Sequence, residues 1–294
     1  MNQFRRIKNH ISQHGFAKTA TKCGSKLLQR IFRTYDRSVR CREQDAAVLR
    51  QQRANQPSAG LISVVVPIFN TDPVMLRALA DSLTAQTYND WEAIFYNGGS
   101  TKGETQRALD EIREPRIRIV HGRENLGISG NTNAAIAQSR GEYVAFCDHD
   151  DLLAPDALWH TAKGIESAQP DMLYTDEDRV SSDGNYYSDP HRKPDFNHAA
   201  LREGNYICHL MTVKRTLLDD LGGLRSEYDG SQDHDLALRI SEASDRIEHI
   251  PLVLYHWRRV KGSVSQQQLG KCMDASARAV QEHLDRMEKQ KNTP

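Results

Sequence analysis

The chain reads as an α/β protein built around a mostly parallel sheet flanked by helices. Three observations carry that prediction. From residue 61 onward, short β-branched or aromatic runs alternate with stretches of helical spacing. The first run, "LISVVVPIF" at 61–69, is apolar throughout, as a strand covered on both faces must be. Polar stretches follow the first, second and fourth runs, "NTD", "NGGST" and "DHDD", at the carboxyl strand ends where open α/β sheets bind ligands.

The elements follow in order. Residues 1–60 form a basic helical arm and linker, with "SKLLQRIF" as a short amphipathic patch and "NQPSAG" as a linker by composition. After the first strand, "DPVMLRALADSLTAQ" places Met75, Leu76, Leu79 and Leu83 on one helical face. Asp72 is positioned as its N-cap, and Pro73 suits its first turn. "WEAIFY", "RIRIV" and "EYVAFC" read as further strands, separated by the helical stretches "GETQRALDEIR" and "ISGNTNAAIAQS". Beyond residue 155 the alternation loosens. "APDALWHTAKGIESA" predicts a helix, "DMLYTDED" a short strand ending in acid, and 180–200 a polar loop. "HLMTVKRTLLDDLGG" predicts a strand passing into a helix that ends at Gly222–Gly223, and "QDHDLALRISEAS" another helix with acid in its first turn. "RIEHIPLVLYHWR" is a last strand with a cationic, aromatic end. The organisation expected is an arm over 1–60, one domain over 61–265, and a charged helical tail over 266–294.

Composition narrows the function classes. Lys+Arg and Asp+Glu balance at 39 each over 294 residues, so no nucleic-acid partner is indicated. Residues 1–60 nevertheless hold 13 Lys/Arg against 3 Asp/Glu, and the remainder 26 against 36. A basic arm on an acidic body suits a solvated helix packed on the domain or contact with an anionic membrane surface. The five cysteines, none in a C-x-x-C pair, argue against a disulfide framework or zinc ribbon. "MNQFRRIKNHISQHGF" lacks the apolar stretch of a signal peptide, and no run approaches the roughly 20 apolar residues that span a bilayer. A cytoplasmic protein is expected, with peripheral contact at the cytoplasmic face of the inner membrane through the arm.

Asp148, Asp150 and Asp151 cluster directly behind an apolar strand. Two readings stand on spacing alone. These acids could open a helix continuing into "LLAPDAL". Alternatively, Asp148 and Asp150, alternate residues sharing one face, could hold a hard cation such as Mg²⁺ or Mn²⁺.

Seven segments in order, "ISVVVPIFN", "SLTAQTYNDWE", "ENLGISGNTNAAIAQSRGEYVAFCDHDDLLAPDAL", "YTDED", "NYICHL", "GSQDHDLALRI" and "LYHWR", resemble the family 2 glycosyltransferases. The similarity is to bacterial enzymes of surface-polysaccharide and O-antigen assembly, rhamnosyltransferase-like members included, and it runs from about 61 to 285. It implies the GT-A fold and a metal-dependent, inverting transfer of sugar from a nucleotide-diphosphate donor, UDP- or dTDP-linked, to a lipid-linked glycan acceptor. On this resemblance Asp150 is the direct Mn²⁺ or Mg²⁺ ligand, Asp148 a ligand or donor contact, and His256 a third ligand. Asp233 is the base that takes the acceptor proton, with Asp235 the weaker candidate. Arg258 faces the leaving phosphate. Pro67, Asn70, Asn97, Ser100, Asn125 and Asn131 fall on the donor side. Asp176, Glu177, Asp178, Gln232 and Trp257 fall on the acceptor or sugar pocket. Bland readings stand beside these: first-turn helix acids for Asp233 and Asp235, a solvated loop for 176–178, a structural histidine for His256, and a core ring for Trp257.

One departure matters. Family members usually carry Asp-Asp-Gly-Ser at the second strand end, where an aspartate contacts the base. Here the stretch is Asn97-Gly98-Gly99-Ser100. That keeps a catalytically degenerate glycan- or partner-binding module as the rival reading. A nucleotidyltransferase is rejected because "PIFNTDP" has no Gly-rich basic signature, and a dinucleotide-binding fold because no G-x-G-x-x-G follows the first strand.

Overall fold

The computed structural model describes residues 35, 36, 39, 43, 45–260 and 268–291. The first 34 residues of the arm, with its amphipathic patch, lie outside the described residues. Nine described strands form one sheet: β1 Ile62–Ile68, β2 Trp91–Asn97, β3 Ile117–His121, β4 Tyr143–Phe146, β5 Leu152–Leu153, β6 Met172–Val180, β7 Tyr187–His191, β8 Met211–Lys214 and β9 Ile247–Arg258. Their order is β3-β2-β1-β4-β8-β6-β9-β5, with β7 paired to β6. The first four run parallel. Beyond them β8 is antiparallel to both β4 and β6, while β6 and β9 run parallel.

Nine helices are described: α1 Ala46–Ala54, α2 Pro73–Thr84, α3 Gly103–Asp110, α4 Gly127–Gln138, α5 Ala157–Ala168, α6 His198–Glu203, α7 Arg215–Asp220, α8 Gln232–Ala243 and α9 Leu269–Lys291. The α2 start is as the sequence predicts: Val74 N–H donates to Asp72 Oδ1 at 2.8 Å, and Pro73 opens the first turn. β1 is buried along almost its whole length. One apolar cluster packs Val64, Val66 and Phe95 against α2 and α5, and a second packs Val65, Val144 and Val213 against α4, α7 and α8. Covering both sheet faces is what makes β1 continuously apolar rather than alternating.

Two differences from the sequence reading bear on the site, and the helical tail forms as expected. The 180–200 stretch is not wholly loop, because it contains β7 and α6. The Asp148–Asp151 acids do not open a helix: Leu152 and Leu153 pair antiparallel with β9, and α5 begins only after Asp156. The tail helix α9 lies against α8, with His283 Nδ1 at 2.6 Å from Glu242 Oε1 and Arg286 bonded to both Glu242 oxygens. No helix among the described residues is long and apolar enough to cross a membrane.

Candidate functional site

The β4–β8 register builds the centre of the site. Tyr143 faces Lys214, Val144 faces Val213 and Ala145 faces Thr212. Continued past the strand ends, that pairing brings Asp148 to His209. The His209 Nε2 lies 3.6 Å from Asp148 Oδ2. Its ring stacks on Tyr255 with centroids 4.5 Å apart and meets Trp257 edge-on at 5.9 Å. His209 sits in the segment "NYICHL" but carries no recognisable spacing to the acidic cluster; the tertiary structure brings it there, just beyond the β4–β8 pairing.

Asp151 completes the cluster from below. It is fully buried, with Oδ2 accepting from the Tyr255 hydroxyl at 2.6 Å and Oδ1 from Arg258 N–H at 2.7 Å. Ligand atoms of Asp148, Asp151 and His209 lie within 4.8 Å of one another. Burial raises the Asp148 carboxyl above its ordinary range, and Asp150 and Asp233 add to the rise while His209 opposes it. Burial likewise pushes Asp151 well up, with the charges of Asp148 and Asp150 adding to it. Such crowding of acids is what a cation relieves, since it inverts the local preference for protonation. Each Asp151 oxygen keeps a further lone pair beyond its present hydrogen bond, so a hard-cation donor set fits these side chains. Asp150 stands beside the cluster, 26% exposed, with Oδ1 at 3.9 Å from His149 Nδ1.

Of its two sequence readings, third metal ligand or structural histidine, His256 takes the second. It is buried, with Nδ1 at 2.6 Å from Asp178 Oδ1 and Nε2 at 2.8 Å from Glu43 Oε1. Burial lowers its proton affinity, but Asp178 and Glu43 outweigh that and raise its pKa to about 9. A protonated imidazole between two carboxylates has no lone pair to give a metal.

Asp176, Glu177 and Asp178 are likewise corrected. All three are buried, and their oxygens already face protein donors. Asp176 takes Arg192, the Lys193 N–H and His249. Glu177 takes Lys193 and the His209 N–H. Asp178 takes His256 and the Tyr35 hydroxyl. Strand β6 is covered on both sides, so side chains that looked like a solvated or sugar-facing loop are interior.

The α8 start separates its two acids. Asp235 is fully buried between Arg225 and Arg239. Asp233 is only half-buried, with Oδ2 accepting from Asn205 Nδ2 at 2.7 Å. Two residues along the helix, about 200° of rotation, turn Asp235 inward and leave Asp233 on the opposite face, where its charge acts on Asp148. Gln232 Oε1 accepts from Gly230 N–H at 2.8 Å.

Arg258 is buried, and its Nε donates to the Asp150 carbonyl at 2.5 Å and its Nη1 to the Ser182 carbonyl at 3.1 Å. Its Nη2 has no hydrogen-bond partner among the described residues. Trp257 is half-buried, with the Arg179 guanidinium 5.3 Å from its ring centre.

The residues that the sequence reading expects on the donor side gather at or just beyond the ends of β1, β2 and β3. Asn70, at φ 53°, accepts from Thr101 and Lys102 N–H through Oδ1, and its own N–H donates to Ser100 Oγ at 2.9 Å. Asn97 is buried, bonds Gln106 and His121 through Nδ2, and accepts from Ser100 N–H. Pro67 pairs with Tyr96 in register. Asn131 Nδ2 donates to Asn125 Oδ1 at 2.8 Å, and Asn131 Oδ1 accepts from Leu126 N–H at 3.2 Å. A Cβ at Gly98 would lie 2.5 Å from that same Asn131 Nδ2. The glycine that departs from the family pattern thus leaves room for the Asn131 carboxamide.

Residues 63–221 match the model of glycosyl transferase family 2. Two curated relatives are each 39% identical: the uncharacterized protein y4gI of Sinorhizobium fredii, over 87% of this chain and 29% of that protein, and the O-antigen biosynthesis protein RfbC of Myxococcus xanthus, over 77% and 18%. The chain thus spans less than a third of the length of either. A solved mannosyltransferase, PcManGT of Pyrobaculum calidifontis in complex with GDP-Man and Mn²⁺, shares the fold with a TM-score of 0.57 at 20% identity, over 81% of this chain and 66% of that one.

Proposed function

The chain belongs to glycosyl transferase family 2, and we propose that it transfers a sugar from a nucleotide-diphosphate donor to the acceptor of a bacterial surface polysaccharide. The observation that carries this reading is the meeting of Asp148, Asp151 and His209 within 4.8 Å, with Asp233, a half-buried carboxylate on a separate helix, near enough for its charge to act on Asp148. The O-antigen name of one relative and the nucleotide sugar and Mn²⁺ of the mannosyltransferase support it.

Asp148 and His209 would hold a divalent cation, with Asp151 behind them and Asp150 beside. Bound there, Mn²⁺ or Mg²⁺ would neutralise charge developing on the departing diphosphate. Arg258 adds a fixed cation and offers its Nη2 to the same leaving group. Asp233 accepts the proton of the acceptor hydroxyl as that oxygen attacks the anomeric carbon. The carbon–oxygen bond to the diphosphate breaks as the new glycosidic bond forms. A single displacement with one base inverts the anomeric centre. The acceptor is a lipid-linked glycan in this reading, and the basic arm brings the domain to the anionic membrane where such acceptors reside. The donor is UDP- or dTDP-linked, its base held among Asn70, Ser100, Asn125 and Asn131.

A specific feature favours a second reading, a non-catalytic binding module: Asn97 is engaged internally and Gly98 offers no side chain to a base. Nucleoside diphosphate release from a panel of nucleotide sugars, with and without Mn²⁺, separates the two. Metal-dependent release from at least one donor is expected. Binding without release from any donor, acceptor glycans included, would favour the module.

A further inference from the structure

Lys193 is a buried cation near the site, its side chain wholly shielded from solvent. Its ammonium has three protons, and the structure provides three acceptors. One is Glu177 Oε2 at 3.1 Å; the others are the carbonyls of Ile207 and His209. The same Glu177 oxygen accepts the His209 N–H at 3.0 Å. The pair therefore grips the His209 peptide from both sides.

Neighbouring contacts hold the rest of that segment. Asn205 Oδ1 accepts from the N–H groups of Ile207 and Cys208, while its Nδ2 donates to Asp233. Leu210 N–H donates to Thr175 Oγ1 at 3.2 Å. Cys208 sits between them at φ 40°, a left-handed conformation that a non-glycine residue keeps only where its surroundings over-determine it. Residues 205–210 thus form a strap between two functional groups. One end faces Asp148 through His209, and the other touches Asp233 through Asn205.

We propose that the buried Lys193–Glu177 pair is a positioning device, clamping the 205–210 strap so that His209 faces Asp148 and Asn205 meets Asp233. This rests on the reading that Asp148 and His209 hold a divalent cation. Neither Lys193 nor Glu177 touches the reacting atoms. Their effect passes through the peptide of His209, as partners behind metal ligands commonly act. A buried ion pair is weak evidence for stability, since apolar replacement of both partners is often neutral. Positional control over a ligand explains a fully desolvated lysine better than stability does.

The test compares three full-length variants, with Mn²⁺ alone as the probe: His209→Ala, Glu177→Gln, and the double variant Lys193→Met/Glu177→Gln. Mn²⁺ affinity is read by calorimetry, the fold by circular dichroism and thermal melting without metal, and His209 geometry by Mn²⁺ broadening of its ring proton resonances. The double variant removes both charges and leaves no unpaired ion. Expected is a folded double variant whose Mn²⁺ affinity falls about 10- to 100-fold, with the His209 broadening diminished. Glu177→Gln falls in the same direction and serves as the deciding variant should the double one fail to fold. Wild-type Mn²⁺ affinity and broadening in the folded double variant, or in Glu177→Gln where it alone folds, would overturn the positioning role. If His209→Ala itself binds Mn²⁺ like wild type, the cation-site reading fails and the proposal falls with it. If His209→Ala weakens binding while the folded charge variants do not, the positioning role alone fails.

Discussion

Replacing Asp233 by Asn tests the proposed base without disturbing its surroundings. The Asn205 Nδ2 proton that meets Asp233 Oδ2 at 2.7 Å can meet an amide oxygen as well. Asp233 lies in the first turn of α8, past its N-cap Ser231, so losing its charge there should cost about 0.3–1 kcal/mol of stability. What disappears is proton-accepting power. General-base removal costs about 10²–10⁴-fold in rate, or roughly 2.7–5.4 kcal/mol of barrier at about 1.36 kcal/mol per decade. The neighbouring acid provides the contrast. Asp235 is buried between Arg225 and Arg239, so Asp235→Asn leaves two guanidinium groups short of a partner. That should cost about 3 kcal/mol of stability, the lower end of the range for a broken buried pair, because Arg225 keeps Glu282. The assays are steady-state nucleoside diphosphate release with donor and acceptor, donor affinity by calorimetry, and urea unfolding for both variants. Asp233→Asn should lose turnover with donor affinity and unfolding midpoint nearly intact, and Asp235→Asn should lose stability first. Turnover of Asp233→Asn within about threefold of wild type, far below the general-base range, would show that Asp233 is not the base.

Gly98→Ala should destabilise the protein by about 1–3 kcal/mol, because its Cβ would meet the Asn131 carboxamide at 2.5 Å. Urea unfolding reads this, and an unchanged midpoint would mean that Asn131 swings aside freely. The Glu177 carboxyl is raised by burial, but His191, Lys193 and His209 outweigh that and hold it at about 2, below its ordinary 4.5. Its contribution is therefore complete above pH 4.5 and is lost as pH falls toward 2, so acid unfolding of Glu177→Gln should be flatter across that window. His256, raised to about 9 from 6.5, contributes fully below pH 6.5, and that contribution fades as pH rises through 9; urea midpoints between pH 6 and 10 should show the slope in wild type and lose it in His256→Gln. Residues 1–34, with eight Lys/Arg and no Asp/Glu, should bring the protein to anionic vesicles in a salt-sensitive way. Equal co-sedimentation of full-length protein and a variant lacking 1–34 would refute that role.

The strand–helix alternation of the first half was legible because burial on both faces leaves a local mark: an unbroken apolar run such as Ile62–Ile68, or a capped, periodic helix such as Pro73–Thr84. Asp148 and Asp233 stand out in the sequence as candidates as well, since each lies in a motif within a few residues of a strand end or a helix start. The approach of His209 to Asp148 and of Asn205 to Asp233 was not legible. It depends on β8 running antiparallel beside β4 in one register, and on Asn205 reaching α8.

The same limit accounts for the corrections. Spacing placed Asp176, Glu177 and Asp178 at a strand end, but whether an acid faces water or a lysine depends on what packs over β6, and Lys193 arrives from a different stretch of chain. His256 could be a third metal ligand or a structural histidine on sequence alone, and the lead-in residue Glu43 and β6 residue Asp178 decide for the second by enclosing it. His209 showed no motif spacing because its partner is 61 positions away in the chain and comes near it only where the chains leave the β4–β8 ladder, beyond Ala145 and Thr212. Helical period, strand alternation and caps act over a few residues and are written locally. Which carboxylate meets a cation, a guanidinium or solvent follows from strand order and register, and those are set by contacts between segments far apart in sequence.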